Sequence, residues 1–269
     1  MKTNKLYKIM VLTDLKRSSS TVLKNAVGLA KMIGGEIEVF HVSRPSDTIA
    51  SENQLSAMRA LNRKHATIDK KMTSLTDPIA KEFVVPIRNS FVFGNIKTEI
   101  RAYMDAHRPD IVVLGKRKTN PFVLGDNITE LILNVHNGPI LISTNKDSFA
   151  TNKEFSLASL RSSGTGINLE FSDDLIKYAQ APLRAFTILK KTGKVTETEK
   201  STLPRTIEYV FEQNESSIKN LANYMSKNNI DVLSIDRKAN KNSNEARFSM
   251  PELTSVIKTL NVNLLVTGK

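Results

Sequence analysis

Residues 110–115 read DIVVLG, and residues 231–236 read DVLSID. Each stretch is an aspartate followed by an apolar run that predicts a buried strand, and each precedes a basic loop, an amphipathic helix and a second apolar run. The same offset relates three pairs of upstream helix positions, which are Ile100 and Leu221, Tyr103 and Tyr224, and Met104 and Met225. The chain therefore predicts two copies of one α/β unit.

The composition limits the class of protein. The 269 residues fit two units of roughly 130 residues each. No run approaches the roughly 18 to 20 apolar residues of a membrane span, and no apolar signal segment precedes the first amphipathic element. The chain contains no cysteine, which excludes disulfides and thiolate metal sites. We therefore expect a cytoplasmic protein with no membrane contact.

The charge of the chain indicates anionic partners without naming one. Its net charge is +12, which favours nucleotide phosphates, nucleic acid or acidic proteins. The basic residues, such as Lys64, Lys70 and Lys71, lie mostly at helical spacing and have few aromatic residues among them, which indicates a solvated face and argues against nucleic acid. The four histidines lie far apart without metal-ligand spacing, so we expect no metal site.

Strands and helices alternate through the first half. We expect a strand at residues 7–13, a helix that stops at Gly34, a strand at 37–42, a long helix ending near Pro78, and a third strand at 83–93. This alternation predicts a parallel sheet covered on both faces. Such sheets bind ligands beyond the carboxyl ends of their strands, where the strand order reverses.

The long second helix carries an apolar stripe that the second half lacks. Its members are Leu55, Met58, Leu61, His65, Ile68, Met72 and Leu75. We expect this face to cover more than its own sheet, either the second half or another protomer of a homodimer. If Met58 and Leu61 are buried, replacing either with aspartate costs roughly 2 to 5 kcal/mol of stability.

The second half repeats the pattern in a trimmed form. Its expected elements are a strand at 155–160, a helix at 168–179, and strands at 183–189 and 206–211. We divide the chain into a domain at residues 1–147 and a second, trimmed domain at residues 153–269. The two are expected to be related by a pseudo-twofold axis as an intramolecular pseudo-dimer.

Three motifs resemble those of the universal stress proteins, in the tandem form with two domains per chain. The first strand ends in Thr13 and Asp14 before a serine-containing helix start, the second ends in His41 and Val42, and the closing strand contains Pro139. The resemblance implies two doubly wound, five-stranded parallel-sheet domains of the adenine nucleotide alpha hydrolase-like fold. It further implies that the final strands at 139–143 and 263–267 pair antiparallel, which hides an apolar edge. It also implies a stress-response or regulatory protein.

The resemblance implies one adenine nucleotide, ATP or AMP, in the first domain. Asp14 would contact the base or ribose, and Val42 the adenine edge. The implied nucleotide-binding positions are Thr13, Asp14, Val42, Gly115, Gly125, Asn127 and Thr129. In the second half the position of Gly115 is held by Asp236, so we expect no nucleotide there.

The glycine loop after residue 115 departs from the family pattern. Nucleotide-binding members have a glycine, two residues, a second glycine, nine residues and then Gly-Ser or Gly-Thr. Here Lys118 stands at the second glycine and Asp126 stands where the hydroxyl residue belongs. An aspartate at a helix start repels a phosphate, whereas Lys116, Arg117 and Lys118 supply compensating positive charge.

Three functions stay open. The first is a stress-response module whose first domain responds to an adenine nucleotide. The second is a nucleotide-blind module acting through protein partners that the sequence does not name; in it Asp14 caps the first helix and Thr129 packs or caps the last. The third is a slow nucleotide hydrolase, for which the sequence offers no positioned general base. We expect no catalytic residues and no enzyme.

Overall fold

The first half of the chain alternates strands with helices in the computed structural model. The structure describes residues 6–44, 54–116, 128–145, 148–151, 155–161, 167, 169–179, 182–189, 206–212, 217–237 and 248–267. The first-half elements are β1 (Tyr7–Thr13), α1 (Ser19–Ile33), β2 (Gly35–Ser43), α2 (Gln54–Phe83), β3 (Ile87–Phe93), α3 (Ile96–His107), β4 (Ile111–Gly115), α4 (Ile128–Val135) and β5 (Ile140–Ser143).

The described residues of the second half follow a similar order. A 3₁₀ turn at Phe149–Thr151 leads into this half. Its elements are β6 (Leu157–Arg161), α5 (Ser172–Tyr178), β7 (Leu183–Leu189), β8 (Thr206–Glu212), α6 (Ser217–Lys227), β9 (Val232–Ile235), α7 (Met250–Thr259) and β10 (Asn263–Val266). Among them, α5 is shorter than α1, and no helix is described between β7 and β8. None of the helices in the described ranges has both the length and the apolar composition of a bilayer span.

All ten strands form one continuous sheet in the order β3-β2-β1-β4-β5-β10-β9-β6-β7-β8. Neighbouring strands are parallel except at the centre, where β5 and β10 are antiparallel, with Leu264 opposite Ile142 and Val266 opposite Ile140. The second-half strands follow the first-half order in reverse, as a twofold relation requires. The predicted α/β fold and the antiparallel pairing of the final strands are confirmed.

Helices cover both faces of the sheet, as its apolar strands require. Ile9 and Val11 face a core built with α1, α2 and α5. Met10 and Phe40, which point the other way, face a core built with α3, α4, α6 and α7. Each core continues from one half into the other across the β5–β10 pair, so the two halves share their apolar interior.

The predicted end of the long helix near Pro78 is wrong. Pro78 lies inside α2, which continues to Phe83, and β3 begins at Ile87 instead of residue 83. A proline inside a helix removes one backbone hydrogen bond. Burial of Ile79 and Phe83, which are 3% and 7% exposed, stabilises the final turns. Packing against the sheet therefore outweighs the helix-breaking residue.

The apolar stripe of α2 is buried along only part of its length. Ile68 and Met72 are buried in the core, but Leu55, Met58 and Leu61 are exposed, Met58 by 64%. The condition that Met58 and Leu61 are buried is therefore not met within one chain, and coverage of these first turns by another protomer stays a prediction. Aspartate at Met58 is expected to change the stability of the isolated chain by no more than about 0.5 kcal/mol.

The second-half helix predicted at 168–179 is shorter than expected. It begins at Ser172, because the chain turns just before it, where the Ser172 N–H donates to the Leu169 carbonyl at 3.1 Å. Leu169 and Phe171 are buried in the core, with the Phe171 ring edge-on to Tyr7 at 5.3 Å. The preceding strand also starts later than expected, at Leu157.

A buried polar cluster links the halves beside the central strand pair. The Asn25 amide in α1 donates to Ser143 Oγ at 2.8 Å and to Asn263 Oδ1 at 3.3 Å, while its own oxygen accepts the Phe149 N–H at 3.0 Å. Asn263 Oδ1 also accepts the Thr144 N–H at 2.9 Å. Because buried amides require partners, this cluster fixes the position of α1, and hence of one cleft wall, relative to the seam.

His136, in the turn between α4 and β5, makes stability depend on pH. Burial lowers its pKa from 6.5 to about 4. The unfolded chain therefore binds a proton below pH 6.5 that the folded chain does not bind until about pH 4. Stability is complete above pH 6.5 and is lost as the pH falls. We expect a loss of about 2 kcal/mol between pH 7 and pH 5 from this residue.

Urea unfolding at a series of pH values measures this loss. His136→Gln should reduce the pH dependence by about 2 kcal/mol over that interval. An unchanged slope in His136→Gln would contradict the assignment.

Candidate functional site

A cleft opens at the carboxyl ends of the first-half strands. The strand order reverses at β1, which pairs with β2 on one side and β4 on the other, and this is where doubly wound sheets bind ligands. The cleft has a volume of about 340 Å³ and is lined by residues from β1, β2, β4, α1 and α4.

The cleft brings together the described members of the predicted site. They come from four separate parts of the chain and are Thr13, Asp14, Val42, Gly115 and Thr129. The other two predicted residues, Gly125 and Asn127, lie outside the described residues. The nucleotide-binding role of all seven residues stays a prediction. The shared location of the five described residues in one cleft is an observation and does not depend on that role.

The turn after β1 is held by its own side chains. The Thr13 hydroxyl donates to Ser19 Oγ at 2.9 Å and accepts the Leu15 N–H at 3.1 Å. Asp14 Oδ1 accepts the Lys16 N–H at 3.1 Å, which is an Asx turn. Ser18 is the residue at the N-cap of α1. Asp14 thus shapes the approach to the helix, and its side chain stays partly exposed, at 29%, beside the cleft.

His41 forms part of the cleft wall as a neutral side chain. Its Nδ1 lies 2.9 Å from the Thr13 carbonyl oxygen, so Nδ1 carries the proton and donates. Burial lowers the pKa of His41; the hydrogen bond to the Thr13 carbonyl and the charge of Asp14 raise it, and Lys71 and Lys64 lower it by smaller amounts. In the described residues His41 makes no hydrogen bond to a hydroxyl, so the described part of the cleft offers no hydroxyl–histidine pair of the kind that activates a nucleophile.

Gly115 is closely packed at the end of β4. A Cβ there would lie 3.0 Å from Val22 Cγ2 of α1, so a side chain at this position would require Val22 to shift. The absence of a side chain therefore keeps this end of the cleft open.

The Lys116 side chain forms hydrogen bonds with the second half of the chain. Its Nζ donates to the carbonyls of Leu260, at 2.6 Å, and Lys258, at 3.3 Å, which end α7 of the second half. Burial lowers the pKa of Lys116. The expectation that Lys116 compensates for the missing phosphate loop is therefore wrong, because its ammonium neutralises a helix C-terminus. Arg117 and Lys118 lie outside the described residues.

Arg237 makes the reciprocal contact from the second half. It follows β9 as Lys116 follows β4, at the same offset that separates Asp110 from Asp231. The side chain is only 1% exposed. Its guanidinium donates to the carbonyls of Leu133 at 2.8 Å, His136 at 2.9 Å, Gly138 at 3.0 Å and Thr267 at 3.2 Å. Sequence reasoning missed this residue, although its alignment with Lys116 was a usable signal.

Through these two cations, the cleft is connected to the second half on both sides. Ile128 and Thr129, at the start of α4, line the cleft, and Arg237 holds the carbonyls at the end of the same helix. Lys116 also lines the cleft and holds the end of α7. The fold and cleft define a doubly wound α/β protein with one described site at the reversal of strand order.

Comparison with known proteins identifies a family within this class of doubly wound α/β proteins. The model of the universal stress protein family matches residues 6–142, and the chain belongs to that family. A search of curated proteins finds no match.

Solved structures agree with this fold. A universal stress protein from Archaeoglobus fulgidus DSM 4304 is 14% identical with a TM-score of 0.64, covering 100% of this chain and 99% of its own. A putative universal stress protein from Pseudomonas aeruginosa UCBPP-PA14 is 14% identical with a TM-score of 0.58, covering 98% and 94%. At these identities the similarity shows the fold and not the ligand.

Proposed function

We propose that this protein is a cytoplasmic stress-response regulator of the tandem type, whose first domain, residues 1–147, binds one adenine nucleotide such as ATP or AMP. The second domain, residues 153–269, carries no nucleotide and completes the sheet. The observation that supports this proposal is the cleft itself. Thr13, Asp14 and Val42 meet Gly115 and Thr129 around about 340 Å³ at the strand-order reversal.

The geometry favours binding over catalysis. Thr13 and Ser19 bond each other and the turn, and His41 bonds a carbonyl. The hydroxyls are engaged with each other and with the turn, and none of those described is bonded to His41, so the cleft offers a binding surface without an activated nucleophile. A nucleotide would therefore act by changing the conformation or the partners of the protein.

Calorimetry on the full chain tests the proposal. We expect one site per chain for adenosine and ATP. Asp14→Ala should weaken both by about tenfold, because it removes a carboxylate that lies beside the cleft and shapes its turn. Asp105→Ala, an exposed position on α3, is the matched control and should bind as the wild type does. Two equivalent sites, or tighter binding by Asp14→Ala, would contradict the proposal.

A second candidate function is a nucleotide-blind module that acts through protein contacts. The observation that favours it is the exposed start of α2, where Leu55, Met58 and Leu61 form an apolar strip. The absence of measurable heat with millimolar adenosine and ATP would favour this function over nucleotide binding.

A further inference from the structure

A second, open groove adjoins the cleft. It lies between the start of α1 and the middle of α2 and has a volume of about 590 Å³. Lys16, Ser19 and Leu75 line both the groove and the cleft, so the two spaces meet at these residues. The groove is therefore the space next to the cleft on the side of α1 and α2.

Three lysines give the groove a positive charge. Lys16, Lys70 and Lys71 line it. Lys70 and Lys71 are exposed and form no ion pair with any residue that the structure describes. Lys16 lies 3.9 Å from Asp14 and is itself 79% exposed. Because Lys71 also helps to lower the pKa of His41, its charge acts on the wall of the cleft as well as on the groove.

The start of α1 adds to this field. Its first turn contains no acidic residue, and the Ser18 side chain makes no capping hydrogen bond. Ser18 and Ser19 line the cleft. The positive end of the α1 dipole therefore acts on the same region as the three lysines, which favours an anion there.

The cation at the other end of the described cleft is already engaged. Lys116, which follows β4, donates to the carbonyls at the end of α7. Among the described cations that line the cleft and the groove, the two without a hydrogen bond or ion pair to a described residue are Lys70 and Lys71, and they lie on the α2 side of the groove.

We propose that Lys16, Lys70 and Lys71 form the phosphate-binding side of the nucleotide site, so that the phosphates of the ligand lie between α1 and α2. This inference rests on the proposed function and refines its ligand class. The ligand is a polyphosphorylated nucleotide, because a nucleoside has no group that would reach the lysines.

Calorimetry with adenosine and with ATP at low salt tests the proposal. The wild type should bind ATP more than tenfold more tightly than adenosine, and added salt should reduce the difference. The double variant Lys70→Ala/Lys71→Ala should bind ATP about tenfold more weakly and adenosine as the wild type does. Both lysines are exposed, so the variant is expected to fold.

The matched control removes two lysines of the second half. Lys219→Ala/Lys227→Ala changes the net charge by the same amount at exposed positions of α6, and it should bind both ligands normally. Equal ATP binding by the groove variant and the wild type would overturn the proposal. Equal weakening of adenosine and ATP would also overturn it, because the lysines would then not act on the phosphates.

Tripolyphosphate separates this inference from the proposed function. If the wild type does not bind adenosine, the nucleoside part of the proposed function fails, and tripolyphosphate alone then tests the groove. Binding of tripolyphosphate that is lost in Lys70→Ala/Lys71→Ala but kept in the control would support the phosphate-binding groove. Failure of the wild type to bind it, or binding that the groove variant retains, would overturn the inference.

Discussion

Replacing Arg237 with methionine is expected to destabilise the protein by about 3 to 5 kcal/mol. The Arg237 side chain is buried and donates to four backbone carbonyls, three of which belong to the first half. Methionine fills much of the space but leaves these carbonyls without their donor. Burial also lowers the pKa of Arg237 to about 10. The desolvation of the charge therefore offsets part of the stabilisation by the hydrogen bonds, and the expected loss of about 3 to 5 kcal/mol already includes this offset.

Chemical denaturation of the full chain measures the effect of Arg237. Arg59→Met on the exposed surface of α2 is the matched control and should change the free energy of unfolding by less than about 0.5 kcal/mol. Arg237→Lys should fall between the two, because lysine keeps the charge but cannot donate in the geometry of the guanidinium fork. A free energy of unfolding for Arg237→Met within error of Arg59→Met would show that the reciprocal contact contributes nothing.

Met72→Ala is expected to cost about 2 to 5 kcal/mol. Met72 is 0% exposed and packs in the core beneath α2. Removing most of its side chain therefore loses buried apolar contacts and leaves a cavity.

Met58→Ala is the matched control for Met72→Ala. Both residues are methionines on the same stripe of the same helix, but Met58 is 64% exposed. Its loss should change the unfolding free energy by less than about 0.5 kcal/mol. Equal effects of the two substitutions in urea unfolding would show either that the first turns of α2 are covered or that the later turns are loose.

Sequence reasoning predicted the topology because the relevant signal is local. The repeat of the strand at Asp110 in the strand at Asp231 indicated the two copies, and this inference needed only an apolar run and its period. The antiparallel pair at the centre was predicted from the resemblance to the universal stress proteins. The location of Thr13, Val42 and Gly115 in one cleft followed from the rule for parallel sheets.

Contacts that depend on distant backbone were not predicted. Arg237 and Lys116 bond carbonyls, which every residue has, so no residue type marks their partners in the sequence. The exposure of the first turns of α2 was not predicted, because periodicity identifies the apolar face of a helix but not whether another element packs against it. A helix of 30 residues is about 45 Å long, whereas a strand of 7 residues such as β3 is about 23 Å long.

The groove lysines illustrate the same limit. Lys70 and Lys71 were assigned to a solvated face because their spacing is helical. They are exposed, as expected, but the fold also sets them beside Lys16 from the opposite side of the cleft. A helical period carries no information on whether two segments more than fifty residues apart lie together and contribute to the same positive potential.

The differing cations at equivalent positions, Lys116 and Arg237, have an evolutionary consequence. In an assembly of two identical subunits, any mutation at the seam appears on both sides at once, so both sides must tolerate it. Joining the halves in one polypeptide removes that constraint, because each codon then alters a single side. Lys116 borders the open cleft, whereas Arg237 is fully buried. Covalent fusion thus permits the two sides of the seam to carry different side chains at equivalent positions.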